Sequence, residues 1–232
     1  MNILITGCSF TESKIDLPPE YVQWNPWSDL VVHDYGNVTN VGQSSFGQGK
    51  ITQSVVKHIE SNDEKPDLII IQLSAILRGY ASNVKDFYLR ITNQRESFFL
   101  LHDDDYVVSG DEWVNRVSMA EDMLDDEIHW NTLSKVLMVK SYLKERDIPY
   151  LMFWGWNQLE NTPQPIKSIW KSEVYDENFW SYGDWGGMSE YIIDTIGKPS
   201  GILGGDFHPT TEGHRVFYNN IIKPKLKDYL GY

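Results

Sequence analysis

A serine, an aspartate and a histidine stand near opposite ends of this chain, in settings that suit nucleophilic chemistry. At the front, the apolar run Ile3-Leu4-Ile5 passes through Thr6 into Gly7-Cys8-Ser9-Phe10-Thr11. At the rear, Gly205-Asp206-Phe207-His208-Pro209-Thr210-Thr211-Glu212-Gly213-His214 carries a histidine followed by proline. A serine hydroxyl is a weak nucleophile until a neighbouring base takes its proton. Histidine is the commonest such base. An aspartate two residues upstream can reach back to the imidazole Nδ1, fix its tautomer and stabilise the imidazolium. Each piece also has a bland reading. Gly7-Cys8-Ser9 serves equally as a plain turn after a strand, Asp206 as a turn residue and His208 as a buried, satisfied histidine. Their joint presence favours chemistry.

The elements that must position these groups follow from the hydrophobic pattern. A short buried strand over Ile3–Ile5 that turns into a helix would set Ser9 at the carboxyl end of a sheet, where open α/β folds bind ligands. The amino end of that helix would point free N–H groups and a positive partial charge at the same spot. Thr11 to Pro19 reads as a loop, and Pro26 opens a short helix through Val32. Val38 to Val41 reads as a second strand, Gly42 to Gly49 as a turn, and Ile51 to Glu60 as a helix with Ile51, Val55 and Ile59 on one face. Leu68 to Leu73 is a near-continuous apolar run of strand length, as in a central parallel strand covered on both sides. Residues 79–118 read as an insertion, with an exposed hairpin or lid around Asp103-Asp104-Asp105. Met119 to Arg146 is helical, with Leu133, Leu137 and Leu143 on its apolar side, and Pro149 to Trp154 is a fourth strand. Asn161 to Gly187 is irregular and rich in aromatics, within an aromatic-rich stretch over about 155–190. Gly201 to Gly204 suggests a short edge strand, and Thr210 to Leu230 a terminal helix. Alternating strands and helices imply a single domain: a three-layer α/β/α sandwich with a central parallel sheet and right-handed crossovers.

Composition narrows the partners. The 232-residue chain has a formal net charge of -13, which argues against nucleic acid, since phosphate binding needs a basic footprint. The same charge argues against an anionic membrane surface, and no apolar run approaches the ~20 residues of a membrane span. With strand one starting at residue 2 or 3, no room is left for a signal peptide, and a cytoplasmic or otherwise soluble protein is expected. The sole cysteine, Cys8, excludes an internal disulfide and a cysteine-based zinc site.

The motifs resemble those of the SGNH hydrolase superfamily, also called the GDSL family, a flavodoxin-like group of esterases and lipases. Its first block, Gly-Asp-Ser with an apolar residue after it, is similar to Gly7-Cys8-Ser9-Phe10. Its second, Asn-x-Gly before a small-residue turn, is similar to Asn40-Val41-Gly42-Gln43-Ser44-Ser45. Its last, Asp-x-x-His-Pro, is similar to Asp206-Phe207-His208-Pro209. The blocks occur in order and span nearly the whole chain. The resemblance implies Ser9 as nucleophile, His208 as general base and Asp206 as the residue that orients it. It implies an oxyanion site from the N–H of Ser9 and an N–H of the Gly42–Ser45 turn, with Ser45 where the family has a glycine. No cofactor or metal is implied.

Three departures are plain. Cys8 replaces an aspartate, the Asp206–His208 spacing is one residue short, and the Gly-x-Asn-Asp block after the third strand is absent. That block supplies a further oxyanion donor in the family; here the chain reads Leu73-Ser74-Ala75-Ile76-Leu77-Arg78. Losing one such donor costs about 10²–10³ in rate. Ser74, Arg78 or Asn157 are candidate substitutes, with Arg78 slightly preferred and a surface salt bridge as its alternative role. Cys8 is a rival nucleophile, but adjacent residues on a strand face opposite ways, so one of the pair at most meets the histidine. Asp103–Asp105 lacks the spacing of a calcium loop. His208 and His214 are expected to diverge rather than share a metal. The tryptophan-rich segment either walls the pocket or packs on itself or on a partner subunit in a homo-oligomer. Two functions are therefore carried forward. One is a serine esterase acting on a small-molecule or carbohydrate ester, an acetyl group being one candidate. The other is an SGNH-like binding or assembly module with little or no turnover.

Overall fold

The structure is a computed structural model that describes residues 1–16, 24–44, 46–76, 127, 129–160, 162–203 and 208–231. The elements run β1 (Ile3–Thr6), α1 (Trp27–Tyr35), β2 (Val38–Asn40), α2 (Gln48–Ser61) and β3 (Leu68–Leu73). A helix over 129–144, α3, follows. Then come β4 (Tyr150–Trp154), α4 (Gln164–Ile169), β5 (Phe179–Trp180), α5 (Met188–Ile196) and α6 (Lys198–Gly201). The chain closes with α7 (Thr211–Phe217) and α8 (Lys223–Leu230). α4 runs on into a π-helical turn over Trp170–Val174, and a second one, Tyr218–Ile222, joins α7 to α8.

The five strands form one parallel sheet in the order β2-β1-β3-β4-β5. Alternation along each strand splits the core into two layers. In β3, Ile69, Ile71 and Leu73 face one layer while Leu68 and Ile70 face the other. β4 divides the same way, with Tyr150, Met152 and Trp154 against Leu151 and Phe153. The first layer is covered by Ile51, Val55 and Ile59 of α2 and by Leu133, Val136, Val139 and Leu143 of α3. The second is covered by Trp27 and Val31 of α1, Met188 and Ile192 of α5, and Phe217, Ile222 and Leu226 of the terminal helix. The result is the expected α/β/α sandwich. No helix among the described residues is long and apolar enough to cross a membrane.

Several expectations change. Among the described residues no helix follows directly on β1: residues 8–12 make a single turn, closed by the N–H groups of Thr11 and Glu12 on the Cys8 carbonyl at 2.9 and 3.1 Å. Pro26 sits one position before α1, in extended backbone, rather than inside it. The stretch read as irregular holds α4, a π-helical turn and β5. The edges are β2 and β5; Gly201 ends a helical turn, and Ile202 makes an isolated antiparallel bridge to Pro209. A two-residue strand offers too little alternation to stand out from an aromatic loop, whereas two glycines flanking Ile202-Leu203 mimic strand punctuation. The proposed 79–118 insertion lies outside the described residues.

Candidate active site

Ser9 stands one turn beyond the carboxyl end of β1, and His208 on the loop that leads into α7. The Ser9 hydroxyl and His208 Nε2 lie 2.7 Å apart, bringing together residues 199 positions apart in sequence. Both are buried, each 6% exposed. For the hydroxyl to donate, Nε2 must be the unprotonated nitrogen and Nδ1 must carry the hydrogen.

The loop around His208 is held on both sides. Its carbonyl accepts the Leu203 N–H at 2.7 Å, and the Thr210 N–H reaches the Gly201 carbonyl at 2.8 Å. Thr210 then caps α7, its hydroxyl accepting the Gly213 N–H at 3.0 Å. Aromatic rings complete the setting. Trp24 stacks on the imidazole with centroids 4.8 Å apart, and Phe10 meets its edge at 5.1 Å. Trp156 in turn leans on Phe10 at 5.1 Å. These rings give the imidazole an apolar flank beside Ser9.

Cys8 points the other way. It is fully buried in the second core layer, and its Sγ donates to Gln72 Oε1 at 3.2 Å. Only Ser9 of the pair meets the imidazole; both residues lie in the turn beyond β1, so it is the turn, not strand alternation, that parts them.

The Asn40–Ser44 turn lies against the nucleophile turn. The Gln43 N–H donates to the Gly7 carbonyl at 3.2 Å. Asn40 donates to the Thr11 carbonyl at 2.7 Å and accepts the Gly42 N–H at 2.9 Å. Glu12 accepts both the Ser44 N–H at 3.2 Å and the Ser44 hydroxyl at 2.7 Å. Burial alone would raise the Glu12 carboxyl, but Lys14 and Ser44 outweigh it and hold the group below its ordinary value. The N–H groups of residues 42, 43 and 44 are thus all committed. Gly42 has no hydrogen left for an oxyanion; its contribution is room, since a Cβ there would stand 3.1 Å from the Gly7 nitrogen. Among the described residues, the Ser9 N–H meets no backbone acceptor. Ser45, Arg78 and Asp206 lie outside the described residues.

After β3, Ser74 exchanges backbone bonds with the Gln48 side-chain amide, and the Ile76 N–H donates to Gln158 at 3.0 Å. Asn157 uses its side-chain oxygen locally, on the Leu159 N–H at 3.1 Å. His214 is wholly buried on α7 and accepts the Trp27 N–H on Nδ1 at 3.3 Å. Among the described residues, no three His, Cys, Asp or Glu side chains gather as a metal site would need.

At the level of sequence, no family model and no curated protein matches the chain. Solved structures do. TesA superposes with a TM-score of 0.54 at 13% identity, covering 99% of each chain. The psychrotrophic esterase EstA from Pseudoalteromonas sp. gives 0.54 at 11% identity, covering 100% of this chain and 99% of its own. A catalytic mutant of Axe2, an acetylxylan esterase from Geobacillus stearothermophilus, gives 0.52 at 12% identity, covering 100% and 94%.

The fold is that of the SGNH hydrolases.

In the terms of the SGNH fold, Ser9 lies in the turn after the first strand and His208 precedes the last helices, so the two blocks quoted from the sequence meet in space. Sequence reasoning passed over the groups that frame them: Trp24, Glu12 and Gln72. Gln72 alone left a signal, as the one polar side chain in the run Leu68-Ile69-Ile70-Ile71-Gln72-Leu73.

Proposed function

We propose that this chain is a serine hydrolase that cleaves carboxylic esters through an acyl-enzyme. The observation that carries the reading is the 2.7 Å contact between the Ser9 hydroxyl and His208 Nε2 in a buried, aromatic-walled setting. Ester hydrolysis among the structural neighbours supports it at the level of the fold. Ser9 attacks the acyl carbon while His208 takes the hydroxyl proton. The oxygen of the tetrahedral intermediate is held by the Ser9 N–H, with Ser45 as the second donor that the family resemblance implies. The imidazolium returns the proton to the departing alkoxide, which leaves as the alcohol. Water, deprotonated by His208, then splits the acyl-Ser9 ester into the acid and free enzyme. Asp206 is the group expected at Nδ1. The walls formed by Phe10 and Trp24 suit a short acyl group, and acetyl esters of carbohydrates are the favoured substrate class.

The decisive test is covalent labelling with a fluorophosphonate probe, with mass-spectrometric mapping. The adduct is expected on Ser9, and Ser9→Ala or His208→Ala is expected to lower ester hydrolysis by at least about 10³-fold. Folded protein that takes no label and hydrolyses no simple acyl ester would overturn this reading.

A second reading, a binding module without turnover, draws on the segment after β3. In place of an oxyanion asparagine it offers Ser74, Ala75 and Ile76, whose described backbone groups serve Gln48 and Gln158. Ser9-dependent hydrolysis excludes this alternative.

A further inference from the structure

Gln72 is fully buried near the end of β3, in a strand whose other five residues are apolar. Burying a primary amide is costly unless its groups are paired. Here they are paired almost wholly with the turn that carries Ser9. Gln72 Oε1 accepts the Cys8 N–H at 3.1 Å, the Cys8 thiol at 3.2 Å and the Thr11 hydroxyl at 3.1 Å. Its amide nitrogen donates to the Leu73 carbonyl, which also accepts the Gly155 N–H at 3.0 Å. One oxygen therefore grips the turn immediately before and two residues after the nucleophile.

The neighbouring strands make room for that grip. β3 is paired with β1 on one side and β4 on the other, and each neighbour is followed by a glycine, Gly7 and Gly155. A Cβ at Gly7 would lie 2.8 Å from Gln72 Oε1, and one at Gly155 2.6 Å from Nε2. The amide fills a slot that two missing side chains create.

We infer that Gln72 is a positioning residue: it fixes the Ser9 hydroxyl and the Ser9 N–H in the geometry that His208 and the oxyanion require. The inference rests on the serine hydrolase reading for its effect on rate, but its structural half stands apart from catalysis. Thr11 extends the grip, because its carbonyl accepts from Ser28 and Asn40, both at 2.7 Å. The amide thereby ties the nucleophile turn to the second turn as well. Misplacing a reacting group by about 1 Å costs on the order of 10²-fold in rate.

The experiment compares Gln72→Leu, which removes the acceptor at similar volume, with Gln72→Glu, which keeps an oxygen in the same place. Three quantities are read: hydrolysis of 4-nitrophenyl acetate, the rate of fluorophosphonate labelling, and amide hydrogen exchange at Cys8 by NMR. In folded Gln72→Leu, kcat and the labelling rate are expected to fall about 10²-fold with KM within about two-fold. Cys8 exchange is expected to accelerate, and Gln72→Glu to recover most of both losses. Gly155→Ala, which crowds the amide from the other side, should give an intermediate loss. A folded Gln72→Leu with parental kcat and parental Cys8 exchange would overturn the inference. Should Gln72→Leu not fold, Thr11→Val and Gly155→Ala decide: slower labelling and faster Cys8 exchange in folded protein support the inference, and parental values in both overturn it. An inactive, unlabelled parent would remove the hydrolase reading, and Cys8 exchange would still decide whether Gln72 holds the turn.

Discussion

At the scale of single residues, adjacency in sequence and adjacency in space diverge sharply. Cys8 and Ser9 are neighbours in the chain, yet one thiol sits in the core on Gln72 and one hydroxyl sits on His208. Cys8→Ala is therefore expected to leave hydrolysis within about three-fold of the parent, while Ser9→Ala abolishes it; steady-state kinetics on the two variants reads the contrast directly. A thiol-directed reagent that inactivates the folded protein at the same rate as a fluorophosphonate would contradict this. The sequence made Ser9 and His208 legible because glycine, proline and apolar runs frame them. It could not show that the Gly42 N–H is used up by Asn40, since that depends on how a turn closes after β2. Nor could it show Trp24 stacked on the imidazole, because a tryptophan two residues before Pro26 reads equally well as core.

At the scale of elements, the regular strands and helices were readable and the exceptions share a cause. β3 and β4 are near-continuous apolar runs of strand length, and α2 carries a clean helical period. β5 is two residues long, and α4 gives way to a π-helical turn that no hydrophobic period announces. What holds that turn is a distant lysine. Lys140 of α3, its side chain 7% exposed, donates to the carbonyls of Glu173 and Val174 and pairs with Asp176 at 2.9 Å. Burial would raise the Asp176 carboxyl, yet Lys140, joined by Lys144 and the Asn178 N–H, outweighs it and the group lies below its ordinary value. Lys140→Met takes the cation from these partly buried acceptors, so a loss of about 1–3 kcal/mol is expected in urea unfolding. A smaller fall, under about 1 kcal/mol, would mean that Lys144, 3.3 Å from the same carboxylate, suffices alone.

For the molecule as a whole, acid is the natural stress. His214 joins α7 to the start of α1 by accepting the Trp27 N–H, and burial together with nearby His208 pushes its pKa from 6.5 down to about 3. The native state refuses a proton that the unfolded chain accepts. Stability is thus whole above the unfolded value of 6.5 and drains as pH falls toward about 3. Glu12 and Asp176, both held low, add losses in the acid part of that range. His214→Gln keeps an acceptor for Trp27 without a titrating ring, and its unfolding free energy is expected to vary less with pH between 6.5 and 3. Parallel pH profiles for the two proteins would speak against His214 as the source.

The meeting of residue 9 with residue 208 also has a temporal side. During synthesis the hydroxyl leaves the ribosome 199 residues ahead of its base. A nascent product, or one cut short anywhere between the two, carries a serine but no means of activating it. On the proposed hydrolase reading, activity switches on only after the later loop has emerged and docked. Turnover then doubles as a readout of whether the two distant segments have come home.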